Sequence, residues 1–153
     1  MSRQPTSRSC FVCGRENSVG LKVHWDQHPE AGEIRGTVTV PEHFNGYPGV
    51  THGGIVGALL DETAGRTILM DGGFDDLMVT AKLEVVYRRP TPTGVPLELV
   101  GRLLGRSGGR AGALAGGLVT SASSPPPGDG DHRHRMVPSP WGVATFWWQR
   151  KAR

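Results

Sequence analysis

Residues 51–70 read THGGIVGALLDETAGRTILM, and this stretch decides the fold. At 100° per residue one broad face of it is apolar, while the opposite face carries small residues and a single carboxylate. The apolar face holds Val56, Leu59, Leu60, Thr63, Thr67 and Met70; the small face holds Gly54, Gly57, Ala58, Asp61 and Gly65. This periodicity predicts a helix from about Gly54 to Met70, ended by Asp71-Gly72-Gly73, with Glu62 and Arg66 paired on its flank.

The segments on either side of this helix alternate apolar and polar residues, as half-buried strands do. Strands are predicted at 21–26 and 33–40 before the helix, and at 79–88, 97–104, 111–120 and 143–149 after it. No helices alternate with these strands, so the sheet is predicted to be antiparallel and the fold class α+β. The 153 residues fit a single domain, residues 1–153, with a flexible Pro/Gly/His-rich loop at about 121–140.

Composition and charge argue against several classes of function. The formal net charge of +3 comes from 17 basic and 14 acidic residues that are spread along the chain, so we expect no nucleic-acid partner. Residues 1–9 lack the apolar stretch of a secretory signal, and the apolar run Gly53–Leu60 is too short to span a bilayer. We therefore predict a cytoplasmic protein with no membrane partner, in which Cys10 and Cys13 are reduced.

The start of the helix and its one small-face carboxylate suggest chemistry. A helix that begins at Gly53-Gly54 exposes unpaired backbone N–H groups, which suit a thioester carbonyl and the oxyanion formed when it is attacked. Asp61 lies in the middle of the helix, where aspartate is a poor helix former and costly unless it is solvated, paired or functional. In a water-poor cleft it could act as a general base for water or as a nucleophile.

Helix geometry separates these two features. Asp61 follows Gly54 by seven residues, which is about 10 Å along the axis at 1.5 Å per residue. One helix therefore cannot readily present its own glycine N–H and its own carboxylate to the same carbonyl. We predict a homodimer in which Asp61 of one subunit faces the glycine turn of the other.

Four short motifs together resemble the PaaI-like hotdog acyl-CoA thioesterases. They are FNGYPGVTHGG at 44–54, LDE at 60–62, VTA at 79–81 and YRRP at 87–90, and the N-terminal CFVCG at 10–14 resembles a subgroup of the same family. The resemblance implies a hotdog fold, in which an antiparallel sheet wraps around one long central helix. It also implies homodimers that often pair into homotetramers, and hydrolysis of acyl-CoA with neither metal nor other cofactor.

Residue roles follow from the same resemblance. It implies that Asp61 is the base or nucleophile, that Gly53 or Gly54 supplies the oxyanion N–H, and that His52 shapes the turn. Thr80 matches a position that orients the water or substrate. The residues implied in substrate binding are Asn45, in the loop before the turn, and Arg88 and Arg89, which match positions near the CoA phosphates.

Other readings of the same residues remain open. Asp61 could be a solvated helix residue, Thr80 an ordinary strand threonine, and Arg88 and Arg89 the exposed end of a strand. Glu42-His43-Phe44 faintly resembles the loop of hotdog dehydratases, but their spacing from histidine to helix acid would land on Gly57. A non-catalytic acyl-CoA-binding protein is a further alternative.

The cysteines raise the question of a metal. Cys10-x2-Cys13 with His24-x3-His28 superficially resembles a two-Cys, two-His zinc site. However, His24 lies in a predicted strand rather than a finger helix, so we expect a packed N-terminal turn without zinc.

Overall fold

A computed structural model describes residues 2–70, 78–107, 110–119 and 143–150, which contain one α-helix and nine strands. The helix, α1, spans Gly53–Ile68. The strands are β1 (Ser2–Arg3), β2 (His24–His28), β3 (Glu33–Thr39), β4 (Asn45–Tyr47), β5 (Val50–Thr51), β6 (Met78–Val86), β7 (Pro96–Ser107), β8 (Arg110–Val119) and β9 (Val143–Arg150). Short 3-10 helices at Pro29–Ala31 and Glu42–Phe44 join β2 to β3 and lead into β4.

Seven strands form one antiparallel sheet in the order β1-β2-β3-β7-β8-β9-β6, and β4 pairs with β5 in a small separate hairpin. Helix α1 packs across this sheet, mainly on β7, β8 and β3. The predicted α+β hotdog architecture, one long helix against an antiparallel sheet, is confirmed. Within the described residues no helix has the length and hydrophobicity that crossing a membrane would need.

The predicted face of the helix is the one that packs inward. Val56, Leu59, Leu60, Thr63 and Thr67 are all buried, and the Glu62–Arg66 ion pair forms at 2.7 Å. Gly101 on β7 allows the close approach of sheet and helix, because a Cβ there would lie 2.8 Å from Thr67 Cγ2. The sheet and helix therefore meet along a face that the 3.6-residue period had already identified.

A buried hydrogen bond crosses this interface. The indole of Trp25 on β2 is fully buried, and its N–H donates to Thr63 Oγ1 at 3.2 Å. Thr63 in turn donates to the Leu59 carbonyl at 2.6 Å. The polar atom of the largest buried side chain is thus satisfied by the helix on which it packs.

Several element boundaries differ from prediction: β6 ends at Val86 rather than Arg88, and β7 continues to Ser107 rather than ending at Leu104. The strand predicted at 21–26 begins at His24, because Lys22 takes φ 58° and the amides of Leu21 and Val23 donate to carbonyls of Phe11 and Val12 instead. The helix ends at Ile68 rather than Met70. The predicted Asp71-Gly72-Gly73 stop lies outside the described residues, and so does the whole predicted loop at 121–140.

Strand β6 forms one edge of the sheet, beyond β9. Seven of its nine residues are exposed, among them Val79, Leu83 and Val86, and Tyr87 directly after it is exposed as well. A nine-residue edge strand with apolar side chains in solvent is a surface that proteins ordinarily cover. This edge runs beside α1 and contributes side chains to the candidate site.

Candidate active site

The glycine turn at the start of α1 is held by His52. This residue is the N-cap of the helix, and its Nδ1 accepts a hydrogen bond from the Gly54 N–H at 3.0 Å. The backbone carbonyl of His52 also accepts from Ile55 and Val56. The His52 ring therefore holds the turn by accepting from the Gly54 N–H, which is one of the two candidate oxyanion donors.

Tyr87 holds the other end of the same peptide group. Its hydroxyl donates to the Gly53 carbonyl at 2.8 Å, and its ring would lie 3.6 Å from a Cβ built on Gly53. The Gly53 carbonyl and the Gly54 N–H belong to one peptide unit, which is thus fixed at both ends. The Gly53 N–H has no acceptor among the described residues, whereas the Gly54 N–H donates to His52.

Asp61 lies two turns further along α1 and is half-buried. Thr80 on β6 donates its hydroxyl to Asp61 Oδ1 at 2.7 Å. Burial raises the pKa of the Asp61 carboxyl above its usual value; the Thr80 hydrogen bond acts in the opposite direction, and the nearby charge of Glu62 adds to the increase. A carboxylate with a raised pKa, oriented by a hydroxyl, has the properties of a general base.

The remaining predicted residues lie near the glycine turn. Asn45 pairs with Thr51 in the β4–β5 hairpin, and the Phe44 carbonyl next to it accepts from the His52 N–H at 2.9 Å. Arg88 and Arg89 directly follow Tyr87 and are exposed. Asn45, Arg88 and Arg89 therefore all lie near the N-terminus of α1, where the glycine turn is.

The candidate residues fall into two groups along the helix. The turn, with Asn45 and Tyr87, lies at its N-terminus, and the pair of Asp61 and Thr80 lies in its second half. Eight residues separate Gly53 from Asp61, which corresponds to about 12 Å along the axis. Within one chain the unpaired N–H and the carboxylate are therefore too far apart to act on one carbonyl carbon.

An apolar cleft lies between α1 and the sheet, and its empty space of about 340 Å³ includes open solvent. Its lining consists of Val56, Leu59, Leu60, Thr91, Leu97, Leu99 and Gly117. Val56 lies in the first turn of the helix, and the Thr91 carbonyl accepts from the Thr51 N–H at 2.8 Å. The cleft thus begins close to the glycine turn, while Asp61 faces β6 and lies on a different side of the helix.

Tyr87 belongs to this site, although the sequence predicted no role for it. In the sequence it is only a residue of the predicted strand 79–88 and the first residue of the YRRP motif. Its partner, Gly53, precedes it by 34 residues. The signal available was weak, because a tyrosine at a strand end is common and the facing element cannot be identified from strand periodicity alone.

Part of the chain matches the model of a known protein family. Residues 48–110, which include the turn, α1 and β6, match the family model described as Thioesterase superfamily. A crystal structure of a thioesterase superfamily protein superposes with a TM-score of 0.72 at 26% sequence identity, covering 92% of this chain and 63% of that chain. The present chain therefore spans less than two thirds of that protein's chain.

More distant structures share the fold. The Escherichia coli PaaI protein from the phenylacetic acid degradation operon superposes with a TM-score of 0.63 at 13% identity, covering 85% of this chain and 84% of that chain. A thioesterase protein of Streptococcus pneumoniae TIGR4, crystallised with coenzyme A, superposes with a TM-score of 0.59 at 15% identity, covering 80% and 81%. The predicted resemblance to thioesterases of the PaaI type is confirmed.

Proposed function

We propose that the protein hydrolyses acyl-CoA or a related acyl thioester to the free acid and thiol, in keeping with the match of residues 48–110 to the Thioesterase superfamily model. The observation that carries the proposal is the half-buried Asp61, oriented by Thr80 and raised in pKa, on a helix that begins with an unpaired glycine N–H. These are the base and the oxyanion donor that acyl transfer to water needs.

The proposed reaction uses these two groups in sequence. The Asp61 carboxylate takes a proton from water, and the resulting hydroxide attacks the thioester carbonyl carbon. The Gly53 N–H donates to the oxyanion that forms. The C–S bond then breaks, and the departing thiolate receives the proton that Asp61 holds. Direct attack by Asp61 on the carbonyl is the alternative route, in which an acyl anhydride forms first and water then cleaves it.

In this proposal the two groups come from different subunits. Gly53 and Asp61 lie about 12 Å apart along one helix axis, so a neighbouring chain has to bring one of them to the other. The exposed β6 edge supports a homodimer, since its apolar side chains, and an edge that pairs with no other described strand, suit pairing with a second copy. A homotetramer would form from two such dimers.

Substrate binding is proposed for the residues around the turn. Arg88 and Arg89 are exposed cations beside it, and they suit the phosphates of CoA. The apolar cleft that begins at Val56 suits an aliphatic acyl group. Asn45 offers an exposed amide near the thioester. That a structural neighbour was crystallised with coenzyme A supports this class of ligand.

The proposal is tested by incubating the protein with a panel of acyl-CoA thioesters and following free thiol. We expect release by the unchanged protein, and a loss of at least about two orders of magnitude in rate for Asp61→Asn. Asp26→Asn is the matched control, because Asp26 on β2 is a carboxylate away from the turn, and it should keep full activity. Equal rates for the Asp61→Asn variant and the parent would refute the role of Asp61.

Two further outcomes separate the alternatives. A folded protein that binds acyl-CoA but releases no thiol would be a binding protein rather than a hydrolase. A change in enoyl absorbance with no thiol release would indicate a hydratase or dehydratase. Either result would contradict the hydrolysis proposed here.

A further inference from the structure

A second cluster of reactive side chains lies on the flank of α1, where the N-terminal segment crosses the helix. It consists of Cys10, Cys13 and Glu62. One potential ligand atom from each, the two Sγ atoms and a carboxylate oxygen, lies within 4.8 Å of the others. The proposed hydrolysis uses none of these three residues.

The two cysteines belong to a tight turn that requires the sequence CFVCG. The Gly14 N–H donates to the Cys10 carbonyl at 2.8 Å, and the Val12 N–H donates to Cys10 Sγ at 3.3 Å. A Cβ at Gly14 would lie 2.4 Å from the Cys10 carbonyl oxygen, so only glycine fits after Cys13. A backbone N–H directed at a cysteine sulfur stabilises the thiolate form that binds metals.

Glu62 is held with one oxygen turned toward this turn. Arg66 donates from Nε and Nη2 to Glu62 Oε1, at 2.9 and 2.7 Å. The other oxygen, Oε2, lies 3.6 Å from Cys10 Sγ, whose thiol donates to it. In this arrangement a thiol proton occupies the position between sulfur and carboxylate that a cation would take.

Arg66 also orients the second sulfur. Its Nη2 donates to Cys13 Sγ at 2.8 Å, and its side chain lies almost entirely buried against the Trp25 ring. Each of the three potential ligands therefore accepts a hydrogen bond. The Val12 N–H donates to Cys10, and Arg66 donates to both Cys13 and Glu62. Such supporting donors are typical of built metal sites.

The charges balance for a divalent cation. Arg66 and Glu62 carry opposite charges and form an ion pair at 2.7 Å, and the Cys10 thiol donates to the other oxygen of Glu62. A doubly charged ion that displaces one proton from each of the two thiols leaves the net charge of the site unchanged. Arg66 therefore does not need to leave, because it contacts Glu62 through Oε1 rather than Oε2.

We propose that Cys10, Cys13 and Glu62 Oε2 bind a thiophilic divalent metal ion of the zinc class, with water as the fourth ligand, and that this ion fastens the N-terminal segment to α1. Ligands of one tetrahedral zinc at about 2.0–2.3 Å lie about 3.4–3.8 Å apart. The Cys10–Glu62 distance of 3.6 Å already falls in that interval, and the ligand atoms of the other two pairs lie within 4.8 Å of each other. The metal would have a structural role, separate from hydrolysis.

From the sequence we had predicted a packed N-terminal turn without zinc, because the likeness to a two-Cys, two-His site was only superficial. His24 and His28 have the spacing of zinc ligands, yet among the described residues the cluster contains no histidine. Glu62 supplies the third ligand instead, from 52 residues beyond Cys10. Cys10 and Glu62 are both partly exposed, which leaves a path by which an ion can enter.

The test is a titration of the chelator-treated, reduced protein with cobalt(II) and then zinc(II), after two free thiols per chain have been counted in denaturant. We expect one cobalt per chain, a thiolate charge-transfer band with tetrahedral ligand-field bands, and loss of these bands when zinc displaces the cobalt. The same zinc addition should raise the melting temperature of the parent protein. Neither readout depends on thioester hydrolysis.

Variants identify the ligands. Cys10→Ser should remove the charge-transfer contribution of one sulfur, and Glu62→Gln should weaken cobalt binding at least about tenfold. His28→Ala is the control that separates this site from a two-Cys, two-His site, and it should leave the spectrum unchanged. A parent protein with two free thiols but without cobalt bands or stoichiometric zinc would overturn the proposal, and so would loss of the bands in His28→Ala.

Discussion

Tyr87→Phe tests whether the glycine turn works as a fixed structure. The substitution keeps the ring that lies against Gly53 and removes only the hydroxyl that donates to the Gly53 carbonyl at 2.8 Å. One such hydrogen bond contributes about 0.5–1.5 kcal/mol. If that energy serves to hold the turn in its reactive geometry, its loss lowers kcat about two- to tenfold, since about 1.4 kcal/mol corresponds to one factor of ten.

The measurement is steady-state thiol release across acyl-CoA concentrations, with kcat and KM determined separately. Tyr47→Phe is the matched control, because Tyr47 is the other tyrosine of the chain and is 77% exposed. We expect Tyr47→Phe to match the parent protein in both constants. A Tyr87→Phe variant with an unchanged kcat would refute the inference that the hydroxyl holds the turn.

Two further predictions concern the carboxylate and the core. Because Asp61 must be ionised to act as a base, activity should fall as pH drops through its raised pKa. The Thr80 hydrogen bond lowers that pKa, so Thr80→Val should move the acid limb of the kcat profile to higher pH. Thr80→Ser keeps the hydroxyl and should leave the acid limb in place. Thr63→Val should leave the buried Trp25 N–H without an acceptor and lower the free energy of unfolding by about 1–3 kcal/mol in urea melts. Thr63→Ser keeps the acceptor and should destabilise the protein less by that route.

The fold was largely predictable because it depends on periodicity. The apolar positions of α1, from Val56 to Thr67, recur at helical spacing and are the ones that the sheet buries. Boundaries were less predictable, since they depend on hydrogen bonds between distant segments. The alternation at Leu21 and Val23 is that of a strand, but their amides bond to the N-terminal turn, so β2 starts later.

The site was predictable only in its local parts. His52, Gly53 and Gly54 are adjacent in sequence, and a helix N-terminus of this kind has known donor geometry. The partner of Gly53, Tyr87, is the residue after β6, and the partner of Asp61, Thr80, lies on β6 itself. Which β6 side chain meets Asp61, and which residue meets Gly53, is set by how the strand packs beside α1, and no periodicity encodes that offset.

The contact between the side chains of the proposed metal site could not be predicted from the sequence either. The sequence places Cys10 and Cys13 in one turn, and it places Glu62 beside Asp61 on the helix. That Glu62 Oε2 and Cys10 Sγ meet at 3.6 Å follows from the path of the N-terminal segment across the helix. The sequence predicted no metal here, and the other candidate ligands that it offered near the cysteines were His24 and His28.

The central claim, that Gly53 of one subunit works with Asp61 of another, can be tested by mixing two inactive variants. One is Asp61→Asn. The other is Gly53→Pro, which deletes the proposed donor N–H at a position where the first turn of a helix accepts proline. His52 precedes it with φ −59° and ψ 134°, a conformation that a residue before proline favours. Each variant alone should lose at least about two orders of magnitude in rate.

When equal amounts of the two variants are co-refolded, about half of the dimers contain one chain of each kind. Every such dimer pairs the intact turn of the Asp61→Asn chain with the intact Asp61 of the Gly53→Pro chain. That gives one working site out of two, so thiol release should recover to about one quarter of the parent rate. If mixed dimers form and the rate stays at the level of the separate variants, the two residues do not share a site across subunits.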